Sequence, residues 1–468
     1  MGVERSEGLC VCGRPETPEA VELVLKDGAL QELPRLVEGL GRRQPARGGA
    51  AVALFDPTTY ALFGAAVLDT LASAGLAARP LVLGEAERPF EPDEAAVEAA
   101  ETAAARERAV VIGVGSGAVN DLGKYVAARQ ALPYVSVATA PSMDGFAAPI
   151  SAIVVNKVKT TVPSRAPDAV VADLAILKGA PPSLIAAGFG DVAGKVTSLA
   201  DWRLAHVLFD EYWCEATAEK VGAIVQGTLA AAPKIAARSP DAVGGLMEAL
   251  VRAGTSVLHV GHSRPTSGAE HLLSHFIEMW HVNRGLRPPA HGHVVGVGTL
   301  IACRVAEALQ EVADPLGAPP PAAELPPPGV ILAALGIAQM PENFGSSKFD
   351  PSRIAQRRAR IAARWPPCAG CPRPRRWPAA CAAPAVRRAF PNWVSTAKPR
   401  GRRSAGAVSC GNGTRCSTWP PTWEFCPGSS PIWSLPTGKL KAARPGLGCT
   451  TDEPAAARRA RAGTRRGG

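Results

Sequence analysis

The chain has 468 residues, 51 Lys and Arg against 41 Asp and Glu, and 47% hydrophobic residues, enough for a sizeable core and two or three domains. No run of 18 or more apolar residues occurs, which argues against a membrane-spanning helix, and the N-terminal stretch lacks the apolar centre of a signal peptide, so a cytoplasmic protein is expected. The net charge of +10 conceals an acidic first part, with 28 bases and 38 acids in residues 1–350, followed by a strongly basic remainder.

In chain order, residues 20–42 read as a helix, interrupted by Gly28 and Pro34. "AAVALF" is a short apolar strand, and "DPTTYALFGAAVLDTLASAG" opens a capped helix with Asp56 at the junction and Pro57 in its first turn. "RPLVLG" is a second strand, followed by a helix with an acidic start, "EPDEAAVEAAETAAARERA". "VVIGVG" is a third strand, "SGAVNDLGKYVAARQ" a helix and "PYVSVAT" a fourth strand. This alternation predicts a parallel sheet covered by helices. "SAIVVNKVKTTV" reads as a hairpin, and a further strand follows it within the first domain.

From about residue 181 the period is helical, with segments over 183–206, 211–233, 240–254, 266–281 and 291–311. The expected organisation is an α/β domain over 1–180, an all-α domain over 181–345 and a basic tail over 346–468. Residues 351–468 hold 23 Lys and Arg against three acids, Glu424, Asp452 and Glu453, together with 16 prolines and six of the nine tryptophans. No helical or alternating period runs through them. The composition suggests a disordered segment, read from a shifted frame of a GC-rich gene rather than evolved as a domain; the alternative is a basic nucleic-acid-binding tail. Cys368 and Cys371 form a lone CxxC there, a weak zinc signal. The four cysteines before residue 350 (Cys10, Cys12, Cys214 and Cys303) are too scattered for a disulfide framework.

Three stretches carry chemistry. In "VVIGVGSGAVNDLGK", Gly113, Gly115 and Gly117 lie between a strand and a helix. Such glycines admit a diphosphate to a helix N-terminus, or allow tight packing. In "TAPSMDGFAAP", Thr139 and Ser142 can donate to phosphate or to a nicotinamide amide, and Asp144 lies on the same sheet edge or makes an Asp-Gly turn. In "GFGDVAGKVTSLADW", Asp191 falls near a helix start, where an N-cap is the structural alternative, and Lys195 follows one turn later. All eight histidines lie between His206 and His293. His271 and His275 share a helix face, either as a buried hydrogen-bonded pair or as ligands. Antiparallel helices could bring His291 level with His271 and, with Asp191, complete a two-histidine, one-carboxylate metal site.

These motifs, in this order over residues 20–315, together with "PDAVVADLAIL", "SGAEHLLSH" and "HGHVVGVGT", resemble the sn-glycerol-1-phosphate dehydrogenase family of the iron-type alcohol dehydrogenase and dehydroquinate synthase superfamily. The resemblance implies a nucleotide-binding α/β domain, a helical domain and a site between them. It implies metal ligands at Asp191, His271 and His291, and substrate contacts at Asp144, Asp191 and His275, with Asp144 and His275 catalytic. Cofactor contacts are implied at Asp56, at Gly117, Ala118, Val119, Asn120 and Asp121, and at Thr139, Ala140, Pro141 and Ser142. Ala148 stands where a cofactor-touching serine is expected. Lys195 stands where iron-type alcohol dehydrogenases place a histidine, which favours the three-ligand branch.

The implied activity is reversible, NAD(P)H-dependent reduction of dihydroxyacetone phosphate to sn-glycerol 1-phosphate, with Zn²⁺ or Ni²⁺ as metal, in a homo-oligomer that needs neither membrane nor nucleic acid. Lys157, Lys159 and Arg165 are candidate partners for the substrate phosphate, or a solvated basic hairpin. A dehydroquinate-synthase-like cyclase using NAD transiently, and an inactive chain with a nucleic-acid-binding tail, are the alternatives.

Overall fold

The computed structural model describes residues 10, 12, 21–43, 51–85, 90–107, 110–155, 158–311 and 333, all within one compact unit, Met1–Lys398. The readings made for the basic tail, the Cys368–Cys371 pair and Lys157 lie outside the described residues.

The first part is a six-stranded, wholly parallel sheet in the order β1-β8-β5-β4-β2-β3. Its strands are β1 (Glu22–Lys26), β2 (Ala51–Phe55), β3 (Ala78–Val82), β4 (Val111–Gly115), β5 (Tyr134–Ala138) and β8 (Ala169–Asp173). Strands β2, β4, β5 and β8 are buried along their whole length, as the unbroken apolar runs dictate. Helices α1 (Leu33–Arg43) and α2 (Pro57–Ser73) cover one face through Leu33, Leu36, Val67 and Leu71. Helices α3 (Glu94–Glu107) and α4 (Gly117–Gln130) cover the other through Ala96, Ala100, Leu122 and Val126.

The helix expected over 20–42 is corrected. Its first quarter is β1, an edge strand whose apolar Leu23-Val24-Leu25 pairs in register with Val170-Val171-Ala172 of β8. Gly28, at φ +69°, turns the chain into a 3-10 turn over Ala29–Glu32, and α1 begins only at Leu33. The predicted capping at Asp56 is present: its carboxylate accepts from the Thr59 amide at 2.8 Å while the Thr59 hydroxyl faces the Asp56 amide at 3.1 Å. The hairpin forms as an antiparallel pair, β6 (Ile150–Val155) and β7 (Val158–Pro163), separate from the main sheet.

The second part is helical: α5 (Leu174–Gly179), α6 (Pro182–Phe209), α7 (Glu215–Ala230), α8 (Ala232–Ala236), α9 (Pro240–Val260), α10 (Ala269–Val282) and α11 (His291–Glu311). One core cluster joins the two parts, with Val170 and Ala172 of β8 meeting Val192 and Val196 of α6 and Leu246 and Leu250 of α9. The stretch His291–Leu309 of α11 is long and apolar enough by composition to cross a membrane. Its first turn instead packs on α6, while Leu300, Ile301, Val305 and Leu309 farther along are exposed.

Candidate active site

The strand order changes direction between β2 and β4. The chain leaves β2 for β3 on one side and returns to β4, β5 and β8 on the other. In an open parallel sheet this switch opens a crevice at the carboxyl ends of the strands, where ligands bind. Asp56 follows β2, Gly117 and Ala118 begin α4 after β4, and Thr139 to Ser142 follow β5, so the expected cofactor residues share that edge.

Their side chains differ in role. Asn120 donates to the Gly145 carbonyl at 3.1 Å and accepts from the Tyr134 hydroxyl at 3.1 Å. Asp121 lies 3.0 Å from Lys124 Nζ, and that fully buried lysine also donates to the carbonyls of Gly145 (2.6 Å), Ala148 (3.2 Å) and Ile150. Asn120 and Asp121 thus tie α4 to the loop that carries Asp144. Gly113 serves packing, because a Cβ there would lie 2.3 Å from the Tyr134 hydroxyl. Gly117 and Ala118, at the first turn of α4, are half-buried, and Ser116 before them makes no side-chain cap. Val119, Thr139, Ala140, Pro141 and Ser142 are buried.

The second half of the site comes from α6, α10 and α11. Helix α6 starts at Pro182, so Asp191 lies in its third turn and is fully buried, not at an N-cap. Helix α11 reaches it because the two backbones nearly touch: a Cβ on Gly292 would lie 1.9 Å from the Ala187 carbonyl oxygen, and one on Gly190 would lie 2.3 Å from that of Gly292. Ligand atoms of Asp191, His271 and His291 lie within 4.8 Å of one another. The His271 Nε2 to Asp191 Oδ1 distance is 3.6 Å, close to the ~3.4 Å that two metal bonds of about 2.1 Å at a tetrahedral angle require.

Both histidines are aimed by buried carboxylates. His271 donates from Nδ1 to Glu270 Oε1 at 2.8 Å, and Glu270 is fixed by the Gly268 amide at 2.7 Å and the Thr197 hydroxyl at 2.6 Å. His291 donates from Nδ1 to Glu278 Oε1 at 2.6 Å, and Glu278 also accepts from Ser274 at 2.8 Å and from Lys159. A carboxylate behind each imidazole, the usual support of a metal-ligating histidine, sets the tautomer and leaves Nε2 free as the ligand atom, which for His271 faces Asp191. The donor set therefore fits a divalent ion with an open position for substrate. Glu270 and Glu278 were absent from the expected site, although each acid stands in the same short stretch as the histidines.

Lys195, fully buried, bridges two carboxylates, at 2.6 Å from Asp191 Oδ1 and 2.8 Å from Asp144 Oδ2. The second contact lacks hydrogen-bond geometry, so Asp144 Oδ2 is a buried acceptor without a hydrogen bond. The Asp144 amide donates to Asp191 Oδ2 at 2.7 Å, which ties the loop after β5 to α6. Burial alone would raise the Asp191 carboxyl, but Lys195 and His271 hold it well below the usual carboxylate range. Burial likewise opposes the charge on Lys195, and the two carboxylates overcome it.

His275 lies on the same face as His271, its ring centroid 6.2 Å away and 5.6 Å from that of His291. Burial, then the nearby positive charge of His291 and Lys159, push its imidazole down to about 3, so it is neutral near pH 7. Of the phosphate candidates, Lys159 on β7 stands here, paired with Glu278 of α10 and 28% exposed. Arg165 is corrected: it binds Asp168 at 2.9 Å and the Leu132 carbonyl, at the amino edge of the sheet and away from the crevice. His281 caps back onto the Ile277 carbonyl at 2.8 Å and takes no part.

Residues 24–181 match the family model described as iron-containing alcohol dehydrogenase. A glycerol-1-phosphate dehydrogenase [NAD(P)+] of Bacillus licheniformis is 34% identical over 301 residues, covering 64% of this chain and 74% of that one. Proteins of the same description from Halalkalibacterium halodurans (35% identical, 62% of this chain and 72% of that one) and Bacillus velezensis (35%, 67% and 77%) are similar to it as well.

Proposed function

The chain belongs to the glycerol-1-phosphate dehydrogenase family, and on that premise we propose that it reduces dihydroxyacetone phosphate to sn-glycerol 1-phosphate, reversibly, with NADH or NADPH. The observation that carries this reading is the set of Asp191, His271 and His291, each imidazole backed by its own buried carboxylate, with Asp191 bonded to the loop after β5 through the Asp144 amide. Neither the cyclase nor the nucleic-acid reading draws support from the relatives.

The first turn of α4 offers unpaired amides and a positive dipole to the dinucleotide's diphosphate. Thr139 and Ser142 border the same edge and have hydroxyls to offer the nicotinamide amide. Asp191, His271 and His291 would hold Zn²⁺, or Ni²⁺. When bound, the nicotinamide supplies hydride to the ketone carbon and the metal polarises the ketone oxygen. Asp144, held beside Lys195, orients the substrate's hydroxyl. His275, neutral and near the other two rings, or a water it orients, relays the proton needed at the oxygen that becomes the alcohol; such help contributes typically ~10² to 10⁴ in rate. Lys159, on β7 and paired with Glu278, is the candidate partner for the substrate's phosphate that this reading takes.

Metal analysis combined with turnover tests the division of labour. His271→Ala and His291→Ala should lose metal and activity together, whereas His275→Ala should keep the metal and lose turnover. Full metal content in the first two, or loss of metal in the third, would overturn the ligand set.

A further inference from the structure

We propose that Cys10, Cys12, Cys214 and His259 form a second metal site, a closed structural Zn²⁺ centre that pins the N-terminal segment to the helical part of the fold. It is separate from the Asp191, His271 and His291 set and shares no residue with it.

The four side chains converge from three distant places. Cys10 and Cys12 precede β1, Cys214 is the N-cap of α7, and His259 lies in the last turn of α9. One ligand atom from each lies within 4.8 Å of every other. Cys10 Sγ is 3.6 Å from Cys214 Sγ, and His259 Nε2 is 3.8 Å from both Cys12 Sγ and Cys214 Sγ. Zinc bonds of about 2.3 Å to sulfur and 2.0–2.1 Å to nitrogen, at a tetrahedral angle, demand separations of ~3.8 Å between sulfurs and ~3.6 Å between sulfur and nitrogen. The observed spacings are those of a tetrahedral ligand shell. Three thiolates and one imidazole, with no open position, are the donor set of a structural zinc.

Polar groups surround the sulfurs. The Cys214 sulfur faces the Thr217 amide at 3.5 Å and the Thr217 hydroxyl at 3.2 Å, at a helix N-terminus whose dipole stabilises negative charge. The Tyr212 hydroxyl donates to Cys12 Sγ at 3.0 Å. Donors to ligand sulfurs are the outer support such sites use. The cluster sits over its own small core of Trp202, Val221 and Val260, which fixes α6, α7 and α9 at this end. A disulfide could engage only two of the three sulfurs and would leave the imidazole unused.

The test uses the full chain, with Co²⁺ as the probe. After exchange of the native metal for Co²⁺, the chain should show sulfur-to-cobalt charge-transfer absorption, which the Asp191, His271 and His291 set cannot give because it has no sulfur. Cys214→Ser should lose that absorption and one equivalent of zinc by elemental analysis. His271→Ala should retain both, and His259→Cys should keep the absorption with a shifted spectrum. If Cys214→Ser does not fold, Cys12→Ser, at a half-buried position, gives the same reading. Absence of the absorption in the full chain, its persistence at full intensity in the cysteine variants, or recovery of a Cys10–Cys214 disulfide peptide from an unreduced digest would overturn the proposal.

Discussion

Glu278 accepts from Ser274, His291 and Lys159 while only 4% exposed. Burial alone would raise its carboxyl, and the charges of Lys159 and His291 hold it well below the ordinary range. Glu278→Gln removes the charge that aims His291 and should weaken metal binding roughly 10–100-fold, read by competition with a chelating dye. Unchanged affinity would mean that His291 needs no such support. His271 makes a second claim. Burial would lower its pKa, yet hydrogen bonds to Asp191 and Glu270 push it up to about 9 in the metal-free chain. The ring therefore carries an extra proton at neutral pH, and a ligand nitrogen must shed it. Metal uptake should release a proton, and affinity should fall about tenfold per pH unit below about 9. Titration of the metal-free chain at several pH values checks this; a flat affinity across that range contradicts it.

The crossing of α6 and α11 sets the distance between Asp191 and His291, and it depends on Gly190 and Gly292. Alanine ordinarily stabilises a helix over glycine by about 1 kcal/mol. At residue 292 the added methyl would meet the Ala187 carbonyl at 1.9 Å, so Gly292→Ala should instead destabilise by about 1–3 kcal/mol. It should also weaken metal binding although every ligand remains. A thermal melt with metal analysis reads both, and a variant as stable and as metal-rich as the parent would refute the role given to this contact.

Elements with a strong period, such as β2, β4, α3 and α9, were legible in the sequence because apolar spacing alone decides them. The strand β1 was not, because five residues cannot distinguish a strand from the first turn of a helix when a helical pattern follows. The convergence of Asp191, His271 and His291 was legible through their motifs. The bridge of Lys195 to Asp144 was not, since it depends on how the loop after β5 meets α6. Nor was the cysteine cluster, whose partners lie 204 and 247 positions apart.

At the scale of the molecule, one shared core joins β5 and β8 of the sheet to α6 and α9 of the helical part, and the Asp144 amide, in the loop after β5, bonds directly to Asp191 of α6. The central claim is that hydride transfer takes place where this loop meets the Asp191, His271 and His291 set. The most direct measurement is oxidation of NADH or NADPH by the full chain with dihydroxyacetone phosphate, before chelation, after it, and after reloading with Zn²⁺. The account predicts oxidation that stops on chelation, returns with the metal, and yields a glycerol phosphate that a dehydrogenase specific for sn-glycerol 3-phosphate leaves untouched. A folded, zinc-loaded chain that oxidises neither cofactor, or one whose product is the 3-phosphate enantiomer, would contradict it.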